Sequence, residues 1–537
     1  MNELAKEVSK FHEKLKSRRT NWDNHWEEVA YFVVPQKDNV YVKQRRSRGE
    51  KKSNKANLFD STAIHSNELL AAALHGMLTN PSTFWFELST GNPEIDKQDD
   101  VKLWLQRSVS RIHQVLNNSN FQTEIHEVFL DLGSFGTSSM RIEEDDELIM
   151  RFHARPINEM YIQENAKGTI DTVSREYVYT GRQILQQFGE EVFTQEELMK
   201  IKRDEMKEWD IIHLVRPRSD YDDRKKNQKN KPYASIHVLK TLHVLLKESG
   251  FDEFPYIVPR WSKISGETYG RSPAMKALPD IKMINQVMKA TIQSAQKMVD
   301  PPLQVPDDGV LLPLKTSPGS LNYYRAGTKD RIEPLNTQGR PDLGFQLMEQ
   351  IKLQIRQSFF IDQLQLNEGP QMTATEVIQR TEEKLRLLGP LLGRLHFELL
   401  KPLIDRVFGI MARKEQLPAN APQILQGQDL EVRFSSMIAR AQKTSELDNL
   451  NRGMQTIGGL MEADPSIYDN IDGDEIVKFV GDTLNLPQEL FRKDKEREEL
   501  RAQRQQAEQQ ASERQAALEQ GQAANQMAQA TRAEEGI

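Results

Sequence analysis

The stretch that decides the fold opens with Tyr269-Gly270-Arg271-Ser272-Pro273 and runs to Pro418. Ser272 is a candidate N-cap and Pro273 suits the first helical position, which predicts a helix over residues 272–299. The apolar residues of this helix recur three or four positions apart, so they should form one buried stripe. The predicted stripe consists of Leu278, Ile281, Ile284, Met288, Ile292, Ala295 and Val299.

A proline-rich insertion follows at residues 300–341, and its seven prolines exclude a continuous helix. A second helix is predicted over residues 342–361, again with one apolar stripe. That stripe consists of Leu343, Leu347, Ile351, Ile355 and Phe359. The two helices therefore predict a hairpin with an elaborate tip, and an irregular insertion of this length inside a compact domain is usually functional.

A loop is predicted at residues 362–372, because Asn367, Gly369 and Pro370 favour turns. The capping box Thr373-Ala374-Thr375-Glu376 then starts a helix that runs to about residue 414. Proline removes a backbone donor and clashes one turn back, so this helix should be bent. The residues that predict bends are Gly389, Pro390 and Pro402.

The rest of the chain predicts an α+β fold that is predominantly helical. An N-terminal helix over residues 2–31 carries Trp22 and Trp26, which should dock on the body or on a neighbouring copy. Strands dominate from residue 138 to about residue 261, and a short strand is predicted at 430–434. Helices follow within 436–500. The Gln/Ala-rich residues 501–537 favour helix but lack an apolar face, which leaves a helical barrel or a disordered tail open.

Composition and motifs exclude several classes of protein. The net charge of -7 does not indicate a generally basic nucleic-acid binder, and the absence of cysteine excludes disulfides and thiolate metal sites. There is no Gly-Lys dipeptide and hence no P-loop, so the chain is not expected to hydrolyse ATP. Neither a catalytic site, a metal site, a cofactor nor a membrane span is predicted.

The ordered set of elements between Tyr269 and Pro418 resembles the portal, or head-to-tail connector, proteins of short-tailed bacteriophages. The resemblance rests on the Tyr269–Pro273 helix start, the proline-rich insertion and Met372-Thr373-Ala374-Thr375-Glu376-Val377 at the start of the long helix. It implies a wing over residues 1–265, stem helices at 266–299 and 342–361, a clip at 300–341 and a tunnel loop at 362–372. It further implies a bent wing helix and return strand at 373–435, a crown at 436–500 and a barrel or tail at 501–537.

The resemblance also implies a function and partners. A ring of twelve copies would form a channel at one capsid vertex, through which double-stranded DNA is packaged and ejected without sequence specificity. The expected partners are the terminase large subunit, tail adaptor or nozzle proteins, and the major capsid and scaffolding proteins. The protein would lie in the virion, after assembly in the host cytoplasm. An oligomeric helical scaffold or adaptor that does not handle DNA is the alternative.

Candidate functional residues follow from this resemblance. Cations that lie away from the apolar stripes would line the channel: Lys282, Lys289, Lys297, Lys352 and Arg356. They could equally face solvent or pair with Asp280 or Glu349. The tunnel-loop candidates are Asn367, Gly369 and Pro370, and the clip contact candidates are Tyr323, Tyr324, Arg325, Lys329 and Arg331.

Overall fold

The helices and strands are those of a computed structural model of the chain. It describes residues 2–37, 58–96, 98–222, 224, 227–304, 320, 321, 327, 333, 334, 341–364, 388–425, 430–434, 446, 447, 449–458, 470–484, 486, 490–492 and 494–534.

The α-helices in chain order are α1 (Asn2–Val33), α2 (Thr62–Leu78), α3 (Pro93–Asp96), α4 (Asp99–Asn118), α5 (Phe121–Phe135), α6 (Gly181–Phe188), α7 (Gln195–Lys202), α8 (Pro273–Val299), α9 (Pro341–Ser358), α10 (Ile361–Leu364), α11 (388–395), α12 (Lys401–Arg413), α13 (described at 446, 447 and 449–458), α14 (Gly473–Thr483) and α15 (Asp494–Glu534). The strands are β1 (Phe86–Ser89), β2 (Met140–Asp145), β3 (Ile149–Ala154), β4 (Met160–Glu164), β5 (Ile170–Thr180), β6 (Glu208–Pro217), β7 (Tyr233–Leu239), β8 (Val244–Phe251), β9 (Tyr256–Ile257), β10 (Leu303–Gln304), β11 (Glu333–Pro334) and β12 (Glu431–Phe434). This composition confirms the predicted class, a predominantly helical α+β fold.

The chain divides into two compact units. The first comprises Met1–Trp85, Arg111–Leu417 and Ser436–Ile438, and the second comprises Phe86–Ser110, Pro418–Ser435 and Ala439–Ile537.

A five-stranded antiparallel sheet, in the order β4-β5-β6-β7-β8, is the largest sheet of the first unit. Successive residues of a strand point to opposite faces, and both faces of β6 are covered. Ile211 joins the apolar cluster formed with α6 and α7, whereas Ile212 joins the cluster formed with Ala5 and Val8 of α1. Strand β8 lies at the sheet edge, where its polar Lys247-Glu248-Ser249-Gly250 is tolerated.

Helix α1 docks on its own chain, which confirms one of the two predicted alternatives. Trp26 is fully buried, and its Nε1 donates a 3.0 Å hydrogen bond to the carbonyl of Phe135. The Trp22 and Tyr269 rings lie 5.7 Å apart. The aromatic residues of α1 therefore pack against the start of the stretch that decides the fold.

The predicted start of α8 is confirmed in detail. The Ser272 hydroxyl accepts a 2.9 Å hydrogen bond from the Met275 amide and donates one of 2.7 Å to the Ser134 carbonyl. Gly136 ends α5 with a left-handed φ of 74°, and its backbone meets that of Gly270 so closely that a Cβ at either position would overlap the other residue's carbonyl. Only glycine permits this approach of two backbones.

The predicted bent helix contains a π turn at His396–Leu400, where the Lys401 amide donates to the carbonyl of His396. Pro402 has no amide hydrogen, and its ring would clash with the carbonyl of Glu398 in a regular α-helix. In a regular α-helix, the buried apolar residues after the turn would lie roughly 100° around the helix axis from those before it, which is the rotation of one residue. The extra residue of the π turn brings both sets onto one face. These residues are Leu388, Leu392 and Leu395 before the turn, Leu399 and Leu400 within it, and Leu403, Ile404, Val407, Ile410 and Met411 after it.

Gly389 and Pro390 lie inside α11, so the described helix is continuous through both. In a regular α-helix, residue 390 would donate a hydrogen bond from its amide to the carbonyl of residue 386, but proline has no amide hydrogen. Residue 386 is outside the described residues. The bend predicted at this dipeptide therefore stays a prediction, whereas the irregularity predicted at Pro402 is present as a π turn.

The second unit contains the predicted return strand. β12 pairs antiparallel with β1, with Phe434 opposite Phe86 and Glu431 opposite Ser89. The last helix, α15, contacts α14 through Arg501, whose guanidinium donates hydrogen bonds of 2.6 and 2.7 Å to Asp474. The described side chains of α15 from residue 501 onward are exposed, as the lack of an apolar face predicts.

Candidate channel site

The helical hairpin of α8 and α9 carries the predicted channel cations, and its inner half is well packed. We define the inner half as residues 273–290 of α8 and 348–358 of α9. Ile281 and Ile284 of α8 are buried, as are Ile351 and Ile355 of α9. Thr291, the first residue beyond the inner half, lies against Gly344, where a Cβ would come within 2.6 Å of the threonine Oγ1. The hairpin therefore depends on a close approach of its helices at this point.

The outer half of the hairpin, residues 291–299 of α8 and 341–347 of α9, does not bury its apolar residues. Ile292 is 38% exposed, Val299 is 86% exposed and Ala295 is exposed, so the outer part of the predicted α8 stripe is wrong for the single chain. On α9, Leu347 is 44% exposed and the adjacent Met348 is buried instead. Met298 and Phe345 are also more than half exposed. In the described part of the chain, the outer half thus leaves several apolar side chains exposed to solvent.

Two of the predicted cations form ion pairs. The Lys282 ammonium lies 2.7 Å from the Glu28 carboxylate of α1, a partner that the sequence did not indicate. The Lys352 ammonium lies 2.8 Å from Glu349, which is one of the pairings left open. Its hydrogen bond and charge lower the pKa of the Glu349 carboxyl. Both pairs are largely exposed, so they contribute little to stability.

The other three cations, Lys289, Lys297 and Arg356, are exposed. None of them forms an ion pair with a residue that the structure describes. Lys297 lies in the last turn of α8, where the helix dipole favours a positive charge. These three side chains are therefore available to an external anion, while Lys282 and Lys352 are engaged.

The remaining candidates lie outside the described residues. These are the tunnel-loop candidates Asn367, Gly369 and Pro370, and the clip candidates Tyr323, Tyr324, Arg325, Lys329 and Arg331. Within the proline-rich insertion, β10 and β11 pair antiparallel, with Leu303 opposite Pro334. The insertion thus has a strand pair, which the sequence analysis did not predict.

A buried polar contact that the sequence analysis missed holds the π turn. The guanidinium and backbone amide of Arg260 donate hydrogen bonds of 2.7 to 3.0 Å to the Glu398 carboxylate. The Arg260 side chain is 2% exposed. The two residues are 138 positions apart, and only Pro402, four residues after Glu398, indicated an irregularity there.

Within the described ranges, no group of three or more histidine and acidic side chains could hold a metal ion. No described helix combines the length and the apolar composition that crossing a bilayer requires.

Comparison with known proteins identifies one family. The family described as "Bacteriophage head to tail connecting protein" matches residues 5–491. The chain is 32% identical over 485 residues to a "Probable portal protein" of Bordetella phage BPP-1, covering 89% of this chain and 87% of that protein. It is also 32% identical over 530 residues to a "Portal protein" of Salmonella phage epsilon15, covering 96% and 93%. A solved chain titled "Neck of empty GTA particle computed with C6 symmetry" aligns with 76% of this chain and 90% of its own, at 11% identity and a TM-score of 0.35.

Proposed function

Because this chain belongs to the bacteriophage head to tail connecting protein family and has the function of a phage portal protein, we propose that twelve copies close into a ring at one capsid vertex. Double-stranded DNA passes through the bore of this ring during packaging and ejection. Portal proteins are structural, and we extend this to the present chain as a protein without enzymatic activity. The alternative of a scaffold that does not handle DNA is not favoured by a family match over residues 5–491.

The observation that carries the ring is the exposed apolar surface of the outer half of the hairpin. Ile292, Met298 and Phe345 are exposed to solvent in the described part of the chain, and exposed apolar surface of this kind marks protein–protein contacts. In a closed ring the outer half of one hairpin packs against that of the next copy, so every copy uses the same two surfaces.

The bore is lined by Lys289, Lys297 and Arg356, which become rings of positive charge in a chain of net charge -7. Such rings hold phosphates weakly and in a salt-dependent manner, so DNA slides and is not bound tightly. Lys282 and Lys352 are less available for this role, because each is paired with a carboxylate.

The remaining assignments rest on the family. The clip receives the terminase large subunit during packaging and tail adaptor or nozzle proteins afterwards, and the wing contacts the major capsid and scaffolding proteins. Assembly takes place in the host cytoplasm, and the ring remains in the virion. The domain boundaries given above for wing, stem, clip, tunnel loop and crown are part of this proposal.

The ring is tested by native mass spectrometry with negative-stain imaging of the purified protein. The expected result is a closed ring with a central hole and a mass of about 0.74 MDa, for twelve copies of 61.9 kDa. A monomer or an open filament would contradict the ring.

DNA contact is tested by replacing Lys289, Lys297 and Arg356 together with glutamine. Packaging by this variant should depend less on salt concentration, since fewer counterions are released when phosphates approach. Lys276→Gln is the matched control, because Lys276 is an exposed lysine of the inner half of the hairpin. An unchanged salt dependence in the triple variant would exclude these cations as the contact.

A further inference from the structure

Two helices of the first unit are irregular at one point each. α9 ends at Ser358 and α10 begins at Ile361, and Phe360 between them has a φ of +61°. A bulky residue in this left-handed region is sterically strained, because its Cβ lies too close to a carbonyl oxygen. The second irregular point is the π turn at His396–Leu400, between α11 and α12. Irregular points of this kind are where helices change direction.

Arg260 contacts the π turn. Its guanidinium also bonds the Glu164 carboxylate at the end of β4, the Gly168 carbonyl at 3.1 Å and the Thr268 carbonyl at 3.2 Å. Charge-assisted hydrogen bonds in a buried site are strong and directional. Arg260 therefore fixes Glu398, and with it the π turn, to the β4–β5 turn and to the segment before α8.

The next residue, Trp261, contacts the other irregular point. Its ring centroid lies 6.0 Å from that of Phe360, and its side chain is buried. The backbone of this dipeptide is itself held: the Trp261 amide donates a 2.8 Å hydrogen bond to the Gly136 carbonyl, and Arg260 forms a β-bridge with Thr137. Two consecutive residues of one hydrogen-bonded backbone segment thus each contact one irregular point.

We propose that the dipeptide Arg260-Trp261 is a mechanical junction that couples the end of α9 to the π turn before α12. A displacement of one helix at its irregular point changes the position of the dipeptide and thereby the other helix. The inference deepens the proposed function, in which α9 is a stem helix and the π turn belongs to the wing helix. Arg260 and Trp261 are positioning residues, since neither is among the cations proposed to contact DNA.

Coupling between two sites must be reciprocal, and this provides the test. Amide hydrogen exchange is measured on the purified protein of full length, so the result does not depend on DNA passage. In Glu398→Gln, which removes the charge but keeps the shape, the amides of Phe360, Gln363 and Leu364 should exchange roughly fivefold faster or more. In Trp261→Leu, the Lys401 amide should also exchange faster. This amide closes the π turn by donating a hydrogen bond to the His396 carbonyl.

Asp405→Asn is the matched control, because Asp405 is a carboxylate of α12 that makes no hydrogen bond with the described residues. In Asp405→Asn, the amides at both irregular points should exchange at the wild-type rate. Trp261→Phe retains a ring and should restore most of the protection lost in Trp261→Leu. If the leucine variant does not fold, Glu398→Gln alone tests the coupling. If each variant changes exchange only at the point it touches, the two contacts are independent and the junction is refuted. That outcome leaves the proposed ring and DNA channel intact.

Discussion

The inner and outer halves of the hairpin are built from the same two helices but have opposite surroundings. Ile284 is fully buried in the inner half, whereas Ile292, two turns farther along the same helix, is 38% exposed. The inner half is covered by other helices, among which Lys282 reaches Glu28 of α1. The outer half leaves Met298 and Phe345 more than half exposed in the described part of the chain. The difference teaches that packing within a single chain stabilises the inner half, whereas the outer half leaves apolar surface exposed, which the proposed ring would bury.

The largest expected effect is a difference between two identical substitutions on α8. Ile284→Ala should lower the free energy of unfolding by about 2–5 kcal/mol, because it opens a cavity in a packed interior. Ile292→Ala in the unassembled chain should cost less than about 1 kcal/mol, since its side chain is partly solvated already. Chemical denaturation of both variants measures the difference. Equal costs would show that the two halves do not differ in packing.

Acid should destabilise the five-stranded sheet before the hairpin. His213 and His237 stack at 3.9 Å on neighbouring strands of the five-stranded sheet, facing Arg141, Arg155, Arg175 and Lys247. Burial, and then the charges of Arg141, Lys247 and Arg175, lower the pKa of His237 from 6.5 to about 3. Burial and the neighbouring His237 and arginines lower the pKa of His213 as well.

The direction of this pH dependence follows from the linkage between proton binding and folding. The unfolded chain takes up protons near pH 6.5 and the folded chain only near pH 3, so stability is complete above 6.5 and is lost as the pH falls towards 3. The expected loss is about 1 kcal/mol per pH unit, measured by denaturation from pH 7 to pH 4. His237→Gln should flatten this dependence. If the hairpin loses hydrogen-exchange protection at a higher pH than the five-stranded sheet, His213 and His237 are not the cause of the acid destabilisation.

A smaller effect is expected where the two halves meet. Gly344→Ala places a methyl group within 2.6 Å of the Thr291 hydroxyl, which should cost about 1–3 kcal/mol. Thr291→Ala in the same chain removes the obstructing hydroxyl, so the double variant should recover most of the loss. Thermal denaturation of the two single variants and the double variant measures this coupling. If the double variant loses the sum of the stability lost in the two single variants, the close approach to Thr291 is not the reason for a glycine at position 344.

The smallest effect on the single chain should come from the outer surface. Met298→Ser with Val299→Ser should change the free energy of unfolding by no more than about 0.5 kcal/mol, because both side chains are exposed. Ring assembly should nevertheless be impaired, since the apolar contact between copies is lost. Native mass spectrometry checks this prediction. Rings formed as readily as by the wild type would assign the contact between copies to another surface.

Sequence reasoning reached the fold where local chemistry determines it. Ser272 caps α8 as predicted, and β12 occurs where a return strand was expected. Periodicity could not separate the inner from the outer half, because Ile284 and Ile292 fit one stripe equally well and only tertiary packing distinguishes them. Arg260 and Glu398 could not be paired from sequence, since their contact joins residues 138 positions apart. The channel cations were predicted as a set, but which of them are paired depends on packing, as for Lys282 and Glu28.

The pairing of β1 with β12 has a consequence for the order of folding during synthesis. Phe86 meets Phe434 across 348 intervening steps of the chain, so β1 waits for its partner while nearly all of the first unit is translated. At roughly 5–20 residues per second this delay lasts tens of seconds. During that time an unpaired strand of four residues is open to other nascent chains, and its brevity limits the hazard. The second unit is thus a late-folding element, completed only when most of the protomer already exists.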